Sequence, residues 1–215
     1  MGYTYVIEHM EEDEATPKSL PPWVELEYAH MIRLAGQSAS VHFTHLSQNS
    51  GISLGDKLAS LGHAPASFEI HTESILSVLG QRNIPLSQVC LLDPKAEKAL
   101  SPDDGRGFTW FLFGGILGDD PPRDRTSELR QLGFPTRHLG AVQMTTDTAL
   151  GVTKRVVDDQ VPLDSIPYVD FPTIKFNAKE SVEMPFRYIA ENDNPLLPPG
   201  MRELLHEDLN KSFDF

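Results

Sequence analysis

Three short stretches of this chain end apolar runs in residues that let a ligand come close to the backbone. They are Leu92-Asp93-Pro94, the turn from Gly114 to Asp120, and Leu139-Gly140-Ala141-Val142-Gln143-Met144-Thr145-Thr146. Glycine lacks a Cβ, so Gly114, Gly115 and Gly118 allow close contact with a bound molecule and present amides to it. A tight turn would use Gly114-Gly115 equally well, and the residues alone leave both readings open. Acids stand beside these turns, Asp119 in the second and Asp147 just after the third. Each has two readings, as a working carboxylate or as the cap of a turn or helix, a common role for Asp.

The elements that must position these turns follow from pattern. Val89-Cys90-Leu91-Leu92 and Thr109–Phe113 are unbroken apolar runs, the signature of strands buried on both faces of a parallel sheet. Residues 3–8 and Val41–Leu46 read as earlier strands, and Thr136–Leu139 as a fifth. Helices are expected from Trp23 to about Ala35, from Lys95 to Leu100 and from Thr126 to Leu132. A further one begins near Thr145 or Thr146, with Ala149, Val152, Val156 and Val157 on its apolar face. Residues 47–85 carry only short helical patches near 55–61 and 72–79. Strands alternating with helices predict an α/β fold, an open and mostly parallel sheet with helices on both faces. Ligands bind such sheets outside the carboxyl ends of the strands, where all three turns fall. Residues 1–160 form the expected domain. Residues 161–215, with seven prolines between 162 and 199, read as an acidic extended arm packed on it.

Several chemistries lack their entry points. The first strand ends in Glu8-His9-Met10 without the glycines of a dinucleotide site, and neither a phosphate-binding P-loop nor a G-x-S-x-G nucleophile turn occurs. The eight histidines are scattered, and the closest pair, His42 and His45, would point to opposite faces of a strand, so no metal site is expected. Cys90, the one cysteine, sits in an apolar run and reads as a buried hydrophobe. No apolar stretch reaches transmembrane length and the first eight residues lack a signal-peptide layout, so a cytoplasmic, membrane-free protein is expected.

Charge indicates the partner. The chain carries −13, with −6 over residues 1–27 and −4 over residues 177–215. Nucleic-acid binding draws its non-specific affinity from Lys and Arg, so this field favours a basic partner and makes direct nucleic-acid binding unexpected.

Phe111-Leu-Phe-Gly-Gly-Ile-Leu-Gly-Asp-Asp-Pro-Pro-Arg-Asp-Arg-Thr126 and Arg137-His-Leu-Gly-Ala-Val-Gln-Met-Thr-Thr-Asp-Thr-Ala149 closely resemble the fungal SPOUT-type protein arginine methyltransferases. Shorter matches lie at Ile7–Glu11, Trp23–Tyr28, Cys90–Pro94 and Glu183–Tyr188. The resemblance implies a SPOUT-like sheet with a C-terminal trefoil knot and S-adenosyl-L-methionine as cofactor, leaving S-adenosyl-L-homocysteine as product. Carried over by position, the cofactor pocket comprises Leu92, Asp93, Phe113, Gly114, Gly115, Leu117, Gly118, Asp119, Leu139, Gly140, Gln143, Met144, Thr145, Thr146 and Ala149. The implied activity is monomethylation of an arginine in the third protein of the small ribosomal subunit.

A guanidinium is planar, permanently charged and best held by paired carboxylates. Glu8, Asp119 and Asp147 are therefore the candidate catalytic acids, and Glu11, Asp124 and Glu183 the candidate substrate contacts. Arg123 and Arg125 are placed to hold the cofactor carboxylate or to pair with acids. The rival readings are an RNA methyltransferase using the same pocket, and a noncatalytic ribosome-assembly module. The acidic ends and proline-rich arm favour a monomer.

Overall fold

The computed structural model describes residues 2–10, 20–62, 66–115, 124 and 126–211. The first part of the chain runs β1 (Thr4–Glu8), α1 (Pro22–Ala35), β2 (Ser40–Thr44), α2 (Gln48–Ala59), β3 (Ser67–Ile70), α3 (Ile75–Arg82) and β4 (Val89–Leu92). There follow β5 (Trp110–Gly114), α4 (Thr126–Gln131), β6 (Thr136–Arg137) and α5 (Thr146–Val157). β1 to β6 form one sheet in the order β3-β2-β1-β5-β4-β6, and every pairing in it is parallel. The chain builds outward from β1 on one side, then crosses over and fills the other. The strand order therefore reverses between β1 and β5, the kind of point at which open sheets gather ligands.

The two-residue period of the strands sorts the core into two layers. Tyr5, Ile7, Val41, Phe43, Cys90, Leu92, Phe111 and Phe113 face one way and pack with Tyr28 and Ile32 of α1, Leu54 of α2, and Leu150, Val152 and Val156 of α5. Val6, Val89, Leu91, Trp110 and Leu112 face the other way against Ile75, Val78 and Leu79 of α3 and Leu129 of α4. Helices thus cover both faces, which is why the central strands read as continuous apolar runs. Cys90 is fully buried, and burial pushes its thiol up to about 12.

Four expectations change. Lys95–Leu100 is not a helix: His138 N–H donates to Lys98 O and Leu100 N–H to His138 O, both at 2.9 Å, so pairing with the chain after β6 overrides local helical propensity. Residues 67–70 form an unanticipated edge strand, making Thr136–Arg137 the sixth. The patches near 55–61 and 72–79 are displaced parts of α2 and α3. The arm is not merely extended: it folds into β7 (Tyr168–Asp170), β8 (Thr173–Lys175), β9 (Ser181–Glu183), β10 (Arg187–Glu191), β11 (Asn194–Pro195) and α6 (Met201–Lys211). β10 pairs antiparallel with β7 and β11, and β8 with β9.

Candidate functional site

The turn after β4, Gly114-Gly115 at the end of β5 and the 139–146 segment converge on a cleft of about 510 Å³, within the size range of small-molecule sites. Its lining includes Leu92, Asp93, Phe113, Gly114, Gly115, Asp124, Leu139, Gly140, Gln143, Met144, Thr146 and Ala149. Pro94, Lys95, Thr126, Arg130, Ala141 and Val142 complete it.

Each wall is fixed by different chemistry. Asp93 is buried beneath the cleft, where Arg130 Nη2 donates to its Oδ1 at 2.7 Å and Arg130 Nε to its Oδ2. Lys95 N–H adds a bond to Oδ1 at 2.9 Å. Burial pushes this carboxyl up, but the Arg130 and Lys95 hydrogen bonds outweigh it and hold it below the usual range. Asp124 accepts from Lys95 Nζ at 2.6 Å, and that bond, with Arg130 behind it, lowers its pKa as well.

On the second wall, a Cβ on Gly115 would stand 2.5 Å from His9 Cα and 2.6 Å from His9 O, so this glycine is required by the approach of β5 to the end of β1. The third wall differs. Gly140 has φ +107°, a conformation that favours glycine, and a Cβ there would meet only Arg187 Nη1 at 3.9 Å. Gly140 N–H donates to His138 Nδ1 at 3.1 Å. The arm braces this wall, since Arg187 N–H donates to Gln143 O at 2.8 Å while its guanidinium is held bidentately by Asp170 at 2.6 and 2.8 Å.

A buried polar group lies at the start of α5. Asp147 is 1% exposed, and its Oδ2 lies 2.8 Å from His30 Nδ1 of α1, so it does not cap the helix, whose N-cap is Thr145. Glu27, one turn before His30, is also buried; burial and then the Asp147 charge push its carboxyl well above the usual range. Tyr188 of β10 has its pKa raised by burial and next by Asp147 and Glu27. Glu27 Oε2, Asp147 Oδ1 and the Tyr188 hydroxyl have no hydrogen-bond partner among the described residues.

Eleven of the fifteen residues expected to hold the cofactor therefore line one cleft. Thr145 stands behind it, its hydroxyl donating to Thr148 Oγ1 at 2.8 Å. Leu117, Gly118 and Asp119 lie outside the described residues, as do Glu11, Arg123 and Arg125. Glu8 does not line the cleft. It is buried at the end of β1, where it accepts from the Thr44 hydroxyl and from Ile75 N–H at 2.9 Å, with His45 Nδ1 at 3.3 Å. Burial raises its pKa against those three partners. Glu183 is exposed in the β8–β9 hairpin, away from the lining. Sequence reasoning missed Glu27, His30, Arg130 and Tyr188. The available signal was the i, i+3 spacing of Glu27 and His30 between Val24 and Met31, which sets both on a core-facing side of α1.

A parallel sheet with its cleft at the carboxyl ends of late strands defines the class, and known structures agree with it. The crystal structure of the yeast arginine methyltransferase SFM1 complexed with SAM is 36% identical, with a TM-score of 0.81 over 97% of this chain and 92% of that one. The SAH complex gives 0.78 at 36% identity over 94% of each chain. The dual-specific Trm10 from Thermococcus kodakaraensis, 16% identical, shares the fold at a TM-score of 0.50 over 76% of this chain and 96% of that one. The fold is thus that of the SPOUT methyltransferases. In sequence, the protein arginine N-methyltransferase SFM1 of Saccharomyces cerevisiae is 36% identical over 98% of this chain and 97% of its own length. The family model described as "Protein arginine N-methyltransferase SFM1-like" matches residues 4–212, and this chain belongs to that family.

Proposed function

We propose that this chain is an S-adenosylmethionine-dependent protein arginine methyltransferase that monomethylates an arginine of a basic protein, the third protein of the small ribosomal subunit. One observation carries the reading: the Leu92-Asp93-Pro94 turn, Gly114-Gly115 and the 139–146 segment converge on a single cleft of suitable size at the carboxyl ends of β4 and β5. Its lining fits the donor, with apolar Leu92, Phe113, Leu139 and Met144 beside Gly140, Ala141 and Gln143. When bound, S-adenosylmethionine supplies a methyl group on a sulfonium sulfur, which leaves as the thioether S-adenosylhomocysteine once a guanidinium nitrogen takes the methyl.

The protein's own part is mostly alignment, since in-line geometry accounts for much of such a barrier. The Gly140 backbone and the Arg187-braced Gln143 form the wall against which the donor lies. The attacking nitrogen must release one proton. We assign that role to Asp147, which does not itself line the cleft but is buried just behind it at the start of α5, between the lining residues Thr146 and Ala149; His30 orients one oxygen, and the other has no partner among the described residues. The net charge of −13 supports a cationic protein acceptor over RNA. Family likeness supports the trefoil knot, with residues 1–160 as the catalytic domain and 161–215 as an arm packed on it; the acidic ends and proline-rich arm support a monomeric state, and the sequence pattern a cytoplasmic location. Among the described residues no helix is long and apolar enough to cross a membrane.

The test is incubation of the purified protein with methyl-labelled S-adenosylmethionine and, separately, small-subunit ribosomal proteins and ribosomal or transfer RNA. Label on one arginine of the third small-subunit protein, located by mass spectrometry, is expected. Label in RNA alone, or in neither despite bound donor, overturns the reading.

A further inference from the structure

At the edge of the sheet far from the cleft, parallel pairing sets His42 of β2 opposite Glu69 of β3. The two-residue period of a strand then brings His71 to the same side as Glu69. We propose that His42, Glu69 and His71 form a binding site for a divalent transition-metal ion of the zinc class, which ties the edge strand β3 to β2.

The geometry is near that of a bound site. His42 Nε2 lies 3.7 Å from Glu69 Oε1, and His71 Nε2 lies 3.3 Å from Glu69 Oε2. In a tetrahedral site with bonds of about 2.0–2.1 Å, ligand atoms stand roughly 3.3–3.5 Å apart. One ligand atom from each of the three residues falls within 4.8 Å of the others, so small side-chain movements close the set. Two imidazoles and one carboxylate suit zinc, cobalt or nickel and not magnesium or calcium, which favour all-oxygen shells.

The polar groups here are left over by the fold. His71 Nε2 is buried and makes no hydrogen bond among the described residues, although Glu69 Oε2 stands 3.3 Å from it, and an ion between the two would satisfy both. The His42 and His71 rings lie 5.4 Å apart and 25° from parallel, so neither serves the other as a hydrogen-bond partner. A surface ion cluster alone would explain Glu69, which pairs with Arg82, but Arg82 offers the two imidazoles nothing. Ser40 Oγ stands 3.1 Å from His42 Nε2, the nitrogen that faces Glu69, and gives way to the ion when it binds there. The Glu69 side chain is 42% exposed, which gives the ion an entry path and leaves a coordination position for water.

The test uses the full chain stripped with a chelator and titrated with cobalt(II), then zinc(II). One equivalent of cobalt should produce visible absorption bands that zinc abolishes, and zinc should raise the melting temperature. His71→Ala removes a half-buried ligand without opening the core and should weaken binding at least about tenfold, as should Glu69→Gln. Arg82→Ala removes a competing cation and should retain or tighten it. Absence of saturable one-equivalent binding, or binding unchanged in both His71→Ala and Glu69→Gln, overturns the site.

Discussion

Two walls of the same cleft end in glycine for opposite reasons. Gly115 is pressed against the backbone of Glu8 and His9, where no side chain fits. Gly140 faces nearly open space and is required by its own φ of +107°. The Gly115 wall is filled by the chain itself; the Gly140 wall opens onto free space and is braced from behind by the arm. Damage to the Gly115 wall should therefore register as lost stability, and damage beside the Gly140 wall as lost activity in a folded protein.

The largest effect should come from Gly115→Ala. Its Cβ would lie 2.5–2.7 Å from three backbone atoms, so the end of β1 must move, at about 3 kcal/mol or more. Thermal unfolding should show a collapsed melting temperature or an insoluble protein; a native melting curve would erase the contrast between the walls. Next is Asp147→Asn, which keeps the shape but removes the proton acceptor. It should lower kcat by about 100-fold while donor affinity stays within about twofold. An equal loss in both quantities would make Asp147 a structural group.

Arg130→Ala strands the buried Asp93 carboxylate and should cost about 2 kcal/mol, less than for a fully buried pair because Arg130 is 30% exposed. Donor affinity should fall less than stability does. Glu27→Gln is smaller and opposite in sign. A carboxyl whose folded pKa is raised stabilises the native state at low pH and loses that contribution as pH rises through the raised value. The variant should therefore gain on the order of 1 kcal/mol over the parent above the ordinary carboxylate range, with the gap closing in acid. Glu183→Ala, exposed and away from the cleft, should change neither melting temperature nor donor binding; any effect on acceptor KM would return it to the substrate path.

What the sequence disclosed follows burial. Val89–Leu92 and Trp110–Gly114 are covered on both faces and read directly as strands, and the turns after them pointed to the cleft because parallel strands leave ligands only that end. Ser67–Ile70 was hidden because an edge strand reading Ser-Phe-Glu-Ile, half buried, has neither an apolar run nor clear alternation. The arm's strands, two to five residues long and interrupted by prolines, owe their form to docking and not to propensity. The buried acids could not be ranked from sequence. Glu8 and Asp147 look alike along the chain, yet Glu8 is engaged by Thr44, Ile75 and His45 while Asp147 keeps an oxygen without a partner among the described residues.

The cleft as the donor site is tested most directly by calorimetric titration of S-adenosylmethionine into the parent protein and into Gly140→Trp. The indole would fill the open wall, and its strain should cost only about 1–3 kcal/mol. The parent should bind one equivalent, and the variant should give no binding heat while its circular dichroism spectrum remains native. Unchanged affinity in a folded Gly140→Trp would place the donor elsewhere.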